Sequence, residues 1–198
     1  AIGRQDKKTV HRAVHTAIVM ALVGGVLVAI FGECVASALL GALHVPDDVF
    51  PLALLYLRIY LLGMPVILLY NFEAAIFRSF GDTKTPLKTL LLSGILNVIL
   101  NVCFVLGFHM TVNGVATATV LANAASSVIL LYRLQKTKTE IHVELKELRI
   151  HRDIFLQIMR IGLPTGLQNA VFAIANIVIQ AAINSLGTIV IAASSAAF

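Results

Sequence analysis

The sequence predicts an all-α polytopic membrane protein, and three observations lead to that prediction. Of the 198 residues, 59% are hydrophobic and only 13% are charged, whereas roughly a quarter of the residues of a soluble domain are charged. The apolar residues fall into five windows, each about long enough to cross a bilayer. The basic residues gather between alternate windows, which is typical of a chain that crosses the membrane repeatedly.

The five windows set the predicted helices. A hydrocarbon core of about 30 Å needs a helix of about 20 apolar residues. The windows run over residues 16–32, 51–71, 89–108, 111–132 and 161–185, and Arg58 interrupts the second. A turn at residues 184–188 is followed by what is expected to be a truncated sixth span. The chain also starts without Met, so a piece of a longer protein is expected.

The fifteen lysines and arginines assign the two sides of the membrane. Four precede the first window, three lie between the second and third, and seven lie between the fourth and fifth. Since loops rich in Lys and Arg stay in the cytoplasm, these three segments are predicted to be cytoplasmic. The polar stretch 77–86 is then a cytoplasmic turn, in which Gly81 suits the turn and Pro86 the first turn of the next helix.

Two further segments are predicted at the membrane surface. Residues 34–44 are expected to extend the first helix or to form a shallow helix on the outer face. Residues 139–160 place apolar side chains near helical spacing among charged ones, which is typical of an amphipathic surface helix. Glu33 and Glu73 come near the ends of their spans and are expected at the interface. Arg58 is expected to snorkel outward as an anchor.

Motifs of soluble enzymes are absent from the sequence. It has no Walker loop, nucleophile elbow, zinc-ligand spacing or dinucleotide fingerprint, so neither an enzyme nor a nucleic-acid-binding protein is predicted. Cys34 and Cys103 indicate neither a disulfide nor a metal site. His11 and His15 are four residues apart and can share a helix face, but a plain interfacial helix accounts for them better than a metal site does.

The informative residues are polar side chains inside the spans, because such groups are costly in hydrocarbon and tend to face a bundle interior or a water-filled path. Asn97 and Asn101 lie one turn apart and offer two amide oxygens. The fourth and fifth windows contain Thr117, Thr119, Asn123, Ser126, Ser127, Gln168, Asn169, Asn176, Gln180 and Asn184. Spacing alone leaves two interpretations open: hydrogen bonding between packed helices and a transport path.

Six motifs in a fixed order resemble a known family. They are AIGRQD at 1–6, YLRI with GMP at 56–65, RSFGDTKTP at 78–86, NVILN at 97–101, NGVATAT at 113–119 and GLPTGLQ at 162–168. Each motif is weak alone. In this order, at these separations and with this topology, they are similar to the multidrug and toxic compound extrusion (MATE) transporters over nearly the whole chain.

The resemblance implies a protein of twelve helices, arranged as two six-helix lobes around a central cavity. Residues 1–133 would belong to the N-terminal lobe as spans three to six. Residues 134–160 would be the cytoplasmic amphipathic linker, and residues 161–198 would be span seven and the start of span eight. The full-length chain is expected to act as a monomer in the lipid bilayer of a bacterial plasma membrane, without a cofactor or a nucleic-acid partner.

The resemblance also implies a function. Such transporters exchange inward-moving Na⁺ or H⁺ for drugs and other small organic, often cationic, compounds by alternating access. Motif matching places a cation site at Asn97, Asn101 and Thr119, together with an acidic residue of span one outside this chain. Asn101 stands where some relatives carry Asp, which leaves the ion open between Na⁺ and H⁺. Phe172 stands where some relatives carry a Glu in span seven.

The candidate substrate path consists of polar residues from the fourth and fifth windows: Asn123, Gln168, Asn169 and Asn176. A lipid or polysaccharide-precursor flippase of the same superfamily is the alternative function, and a channel or a non-transporting scaffold is a further one. Flippases tend to have a more cationic central path, and these spans contain only Arg58. The drug exporter is therefore favoured.

Overall fold

The computed structural model describes residues 7–185, and the regular structure in that range is entirely helical. The helices are α1 (Lys7–Ala42), α2 (Phe50–Leu62), α3 (Met64–Ser79), α4 (Lys84–Val102), α5 (Val112–Lys136) and α6 (Arg152–Asn184). A π-helical turn, Cys103–Gly107, continues α4, and a 3₁₀ turn covers Leu145–Glu147. The predicted start of an eighth span and the first motif, residues 1–6, lie outside the described residues.

These helices confirm the five predicted spans. Helices α1, α5 and α6, and α4 with its π-helical turn, are each long and apolar enough to cross a membrane. Helices α2 and α3 together form the remaining span, which is the second in chain order, and the two helices are bent by 52° at their junction. The extension predicted at residues 34–44 is present, because α1 continues without a break to Ala42. The resulting architecture is an all-α membrane bundle.

The bend between α2 and α3 follows from Gly63 and Pro65. Proline lacks the N–H that would bond to the preceding turn, and its ring clashes with that turn. The N–H of Gly63 closes α2 by bonding to the carbonyl oxygens of Ile59 and Tyr60, at 3.2 and 3.0 Å. A Cβ atom on Gly63 would overlap the side chain of Val120. The bend therefore packs directly against α5.

Helix α5 lies in the middle of the bundle. It packs against α2, α3 and α4, while α1 covers α2 and α3. Its contact surface consists of small residues: Gly114, Ala116, Ala118 and Ala122 are buried. Small side chains let helix backbones approach closely, and in a membrane this close packing is a main source of helix association. The short side chains that the sequence places along α5 thus form its packing surface.

The turn between α3 and α4 has the form that its sequence predicts. Gly81 has φ of +89°, a conformation that favours glycine. Asp82 Oδ1 accepts a hydrogen bond from the Thr85 N–H at 2.9 Å. Hydrogen bonds from the side chain and backbone of Thr85 hold the pKa of Asp82 below its ordinary value. Pro86 occupies the first turn of α4, so the polar stretch stops one helix and starts the next.

The amphipathic helix predicted over 139–160 is wrong for the part before Arg152. Residues 137–151 run as an irregular segment with only the short 3₁₀ turn, and we call this segment the linker. Ile141 and Val143 are 2% and 1% exposed. Side chains two positions apart point the same way only in an extended chain. Burial of this pair in the core decided the conformation, although the apolar spacing was nearly helical.

The linker completes a core at one end of the bundle. This core contains Val10, Val14, Ile18, Ala21, Leu69, Ala74, Ile76, Phe77, Leu130, Leu134, Ile141 and Val143. The same end includes the start of α1, the α3–α4 turn and the last turn of α5, where Arg78, Lys84, Arg133 and Lys136 lie. We call it the basic end.

Gly25 should be more sensitive to substitution than its neighbour Gly24. A Cβ atom on Gly25 would overlap the backbone Cα of Pro65, whereas a Cβ on Gly24 meets open space. Gly25→Ala in the full-length protein is expected to lower the free energy of unfolding by about 1–3 kcal/mol, the usual range for overpacking. Thermal unfolding in detergent measures this, with Gly24→Ala as the matched control. Equal melting temperatures for the two variants would contradict the close α1–α3 approach.

Candidate functional site

Three residues of the predicted cation site meet between α4 and α5. Asn101 Nδ2 donates to Asn97 Oδ1 at 2.9 Å, and Asn97 Nδ2 donates to Thr119 Oγ1 at 3.3 Å. Thr119 Oγ1 donates in turn to the Val115 carbonyl oxygen at 3.0 Å. All three side chains belong to half-buried residues. We call Asn97, Asn101 and Thr119 the polar cluster.

One oxygen of the polar cluster has no partner among the described residues. Asn101 Oδ1 is buried and accepts no hydrogen bond from them. Leaving a buried acceptor unsatisfied costs about 1–3 kcal/mol, so this atom is suited to a ligand that brings positive charge or a donor. The cluster offers two amide oxygens and one hydroxyl oxygen, which are neutral ligands of the kind that hard cations accept.

The cluster has features of both interpretations that the sequence left open. The Asn97–Thr119 bond joins α4 to α5, and Ser93 Oγ adds a bond to the Ala122 carbonyl oxygen at 2.9 Å. These are the contacts expected of polar residues that hold helices together. The unpartnered Asn101 oxygen is the feature expected of an ion path.

The structure separates the four residues of the predicted substrate path. Asn123 is half-buried, and its Nδ2 donates to the Thr119 carbonyl oxygen at 2.9 Å, so it adjoins the polar cluster. Gln168, Asn169 and Asn176 lie exposed on α6. Within residues 7–185 these three side chains make no hydrogen bond. The described part of the chain therefore shows no hydrogen bond between Asn123 and the three α6 residues.

The prediction that Glu73 lies at the interface is wrong. Glu73 is 0% exposed, and Ser127 Oγ donates to its Oε2 at 3.0 Å. The sequence placed this residue only six positions before the end of α3, but α1 and α5 both pack on α3 and cover it. Ser127 was noted in the sequence as a polar residue of the fourth window, although nothing in the spacing paired it with Glu73.

The two charged residues near the opposite end pair with each other. Arg58 Nε lies 3.5 Å from Glu33 Oε2, which joins α2 to α1. The Arg58 side chain is half exposed, in keeping with an anchor, but it has an acidic partner that the sequence did not reveal. Glu33 lies inside α1, nine residues before Ala42, rather than at a helix end. Pairing makes each charge less costly in an apolar environment.

A second cluster of ligand-type side chains lies at the basic end. His11, His15 and Glu147 each place one ligand atom within 4.8 Å of the others. Both ring nitrogens of His15 are already engaged: Nε2 accepts from the Glu144 N–H at 3.1 Å, and Nδ1 lies 2.8 Å from the His11 carbonyl oxygen. A metal ion would have to replace one of these bonds. The geometry therefore favours the interfacial helix over a metal site.

The same region fixes the linker to α1. Thr16 Oγ1 accepts a hydrogen bond from the His151 N–H at 3.1 Å, and Arg12 pairs with Asp153 at the start of α6. Lys7 adds an exposed contact to Glu140 at 3.7 Å. At the other end of α6, Asn184 Nδ2 donates to the Leu43 carbonyl oxygen at 2.8 Å. Polar contacts thus hold α6 to α1 at both ends.

The apolar spans and the polar side chains buried between them define a multi-pass helical membrane protein. The chain belongs to the MatE family, whose family model matches residues 1–103, just over half of the 198 residues. Membership in the family of multidrug and toxic compound extrusion transporters confirms the resemblance carried by the six motifs. It also places the chain in a family of transporters.

Three named relatives illustrate the similarity. The probable multidrug resistance protein YoeA of Bacillus subtilis (strain 168) is 25% identical over 195 residues, or 95% of this chain and 42% of the relative. The probable multidrug resistance protein YpnP of the same organism is 30% identical over 156 residues, or 79% and 35%. Protein DETOXIFICATION 42 of Arabidopsis thaliana is 32% identical over 148 residues, or 71% and 29%. The chain thus spans less than half the length of these relatives.

Solved structures show the same fold. A MATE protein in complex with MaD3S has a TM-score of 0.78 and 27% identity, covering 88% of this chain and 39% of the other. The outward-facing form of a multidrug resistance MATE family transporter of the MOP superfamily has a TM-score of 0.77 and 29% identity, with the same coverage. The predicted fold class is therefore confirmed.

Acid should loosen the linker through His151. Partial burial lowers the pKa of His151, and Arg12 and Arg149 lower it further. Because its pKa is lowered in the folded protein, neutral His151 contributes fully to the stability of the packed linker above its ordinary pKa of 6.5. This contribution is lost as the pH falls below that pKa. The protection of residues 137–151 against hydrogen exchange in the full-length protein, corrected for the slower intrinsic exchange in acid, is therefore expected to fall on acidification.

His151→Gln supplies the control for this prediction. It removes the titrating ring while leaving the backbone N–H that bonds to Thr16. Part of the acid sensitivity should then disappear. An identical pH profile in the variant and the wild type would contradict a role for His151.

Proposed function

We propose that the full-length protein containing this chain exports drugs and other small organic, often cationic, compounds across a membrane. The main support is the polar cluster, in which a buried and unpartnered Asn101 oxygen lies between α4 and α5 of a MATE fold. The names of the relatives support the same class of substrate, since two are called probable multidrug resistance proteins. Export would proceed by alternating access.

Export is coupled in this proposal to inward movement of Na⁺ or H⁺. The polar cluster consists of neutral groups that neither gain nor lose a proton near neutral pH. It is therefore suited to Na⁺, whereas proton coupling at this place requires an acidic side chain from a span outside the chain. The ion and the drug can each shift the transporter only through different affinities for its two states. Antiport follows when the two ligands prefer opposite states.

The membrane and the orientation are part of the same proposal. Fourteen of the fifteen basic residues belong to the three segments that the sequence predicts to be cytoplasmic, so the basic end would face the cytoplasm. The protein would act in the plasma membrane of a bacterium as a monomer, with the lipid bilayer as its surroundings and the coupling ion in place of a cofactor. Gln168, Asn169, Asn176 and Asn123 would line the substrate path.

Asn97→Ala should weaken ion-coupled efflux. The full-length protein is placed in proteoliposomes loaded with a fluorescent cationic dye, and an inward Na⁺ or H⁺ gradient is imposed. The control sample has no ion gradient. The substitution removes the Asn97 oxygen and the hydrogen bond that Asn97 Nδ2 donates to Thr119. It is expected to raise the half-maximal ion concentration about tenfold, equivalent to about 1.4 kcal/mol. Membrane insertion should be unaffected.

Asn71→Ala is the matched control, because the Asn71 amide donates to the Ile67 carbonyl oxygen within its own helix. It should leave the ion dependence unchanged. An unaltered ion dependence in Asn97→Ala would exclude the polar cluster from coupling. A folded wild-type protein that moves no dye under either gradient would favour the flippase, which transport of lipid-linked substrates would then test.

A further inference from the structure

Glu73 is a buried acid that the polar cluster does not use. It lies on α3 with 0% exposure, beside the apolar core of the basic end. Ser127 Oγ donates to Oε2 at 3.0 Å, and Oε1 has no hydrogen-bond partner among the described residues. Ser126, next along α5, is 1% exposed, and its hydroxyl also has no partner there. Polar atoms on both helices are thus buried with unused bonding capacity.

No cation compensates this acid within residues 7–185, where none of the ion pairs includes Glu73. The titratable or charged groups on α3, on the helices packed around it and on the linker are Lys7, Lys8, His11, Arg12, His15, Glu33, Cys34, Tyr56, Arg58, Tyr60, Tyr70, Arg78, Lys84, Lys88, Tyr132, Arg133, Lys136, Lys138, Glu140, His142, Glu144, Lys146, Glu147, Arg149 and His151. Several bond elsewhere: His15 to the linker, Arg12 to Asp153 and Arg58 to Glu33.

An ionised carboxylate in this position would be costly. A charge removed from water needs a counter-charge or several strong donors, and otherwise the group takes up or releases a proton to become neutral. Glu73 has one hydroxyl donor. As a neutral acid it keeps the bond from Ser127 and gains an O–H of its own to donate.

We propose that Glu73 is a proton-binding site of this bundle, separate from the polar cluster. In the packed arrangement of α1, α3 and α5 the carboxyl group holds a proton. When the basic ends of α3 and α5 part, water reaches the group, the O–H bond breaks, and the proton passes to cytoplasmic water. In the alternating-access cycle proposed above, the carboxylate would be reloaded from water on the outer side in the other state of the transporter, so the proton enters from one aqueous phase and leaves to the other and no other reactant is needed. This inference rests on the proposed ion-coupled export.

The position of Glu73 suits this exchange. It lies six residues before Ser79, the last residue of α3, which is about 9 Å along a helix axis. A small separation at the basic end is enough to admit water. Ser127 and Thr119 are eight residues apart on α5, or about 12 Å along the axis. The proton site and the polar cluster are therefore at different depths, and they join α5 to different helices, α3 and α4 respectively.

Infrared spectroscopy of the full-length protein in lipid tests the proposal, because a protonated carboxyl group has a C=O stretching band that a carboxylate lacks. At neutral pH the wild type should show such a band and Glu73→Gln should lose it. Ser127→Ala removes the one donor, so it should shift the band. Glu73→Asp keeps a carboxyl group and should retain a displaced band, which separates loss of the proton site from misfolding.

Glu33→Gln is the matched control, because Glu33 is a second glutamate of the bundle but pairs with Arg58. It should leave the band unchanged. A band that persists unaltered in Glu73→Gln would overturn the proposal. Proton-driven dye efflux at the wild-type rate in that variant would overturn its part in coupling. A wild type that shows the band but moves no dye would refute the proposed export and leave the proton site supported.

Discussion

The close approach of α5 to its neighbours is the constraint on which the other features of this bundle depend. Lipid gives packed helices no hydrophobic reason to associate, so close contact and hydrogen bonds must supply the stability. Ala116, Ala118 and Ala122 make that contact possible because they are buried and short. The resulting separation lets Thr119 reach Asn97 on α4 and Ser127 reach Glu73 on α3. Larger side chains on this surface would hold the helices apart and break both interactions.

Helix α6 is held in a different way. Most of its side chains are exposed, and its contacts with α1 are polar ones near its two ends. The linker strengthens the contact at the basic end, where His15 and Thr16 bond to its backbone. Within residues 7–185 the apolar sides of this helix are left uncovered. The chain spans less than half the length of its relatives.

The spans could be predicted from the sequence because a bilayer imposes one length and one composition on every crossing. The bend at Gly63–Pro65 also has a local cause, because a proline interrupts the hydrogen bonding of a helix whatever surrounds it. The fate of Glu73 could not be predicted, because its burial depends on α1 and α5, and neither is near it in sequence. The conformation of the linker was predicted wrongly for a similar reason. Its apolar spacing fits a helix, but Ile141 and Val143 are both buried in the core, which requires an extended chain.

The residues of the candidate site could also be predicted from the sequence, but their hydrogen bonds could not. The spacing of Asn97 and Asn101 placed both on one face of α4, and family resemblance added Thr119, but only the packing of α5 shows which atoms are satisfied. Among residues 7–185, it leaves Asn101 Oδ1 without a partner and gives Glu73 a single donor. Asn101 bonds to Asn97, which bonds to Thr119 on α5, and Glu73 bonds to Ser127, two turns further along α5. A shift of α5 that alters one environment would also alter the other, so ligands at the two proposed sites would influence each other reciprocally.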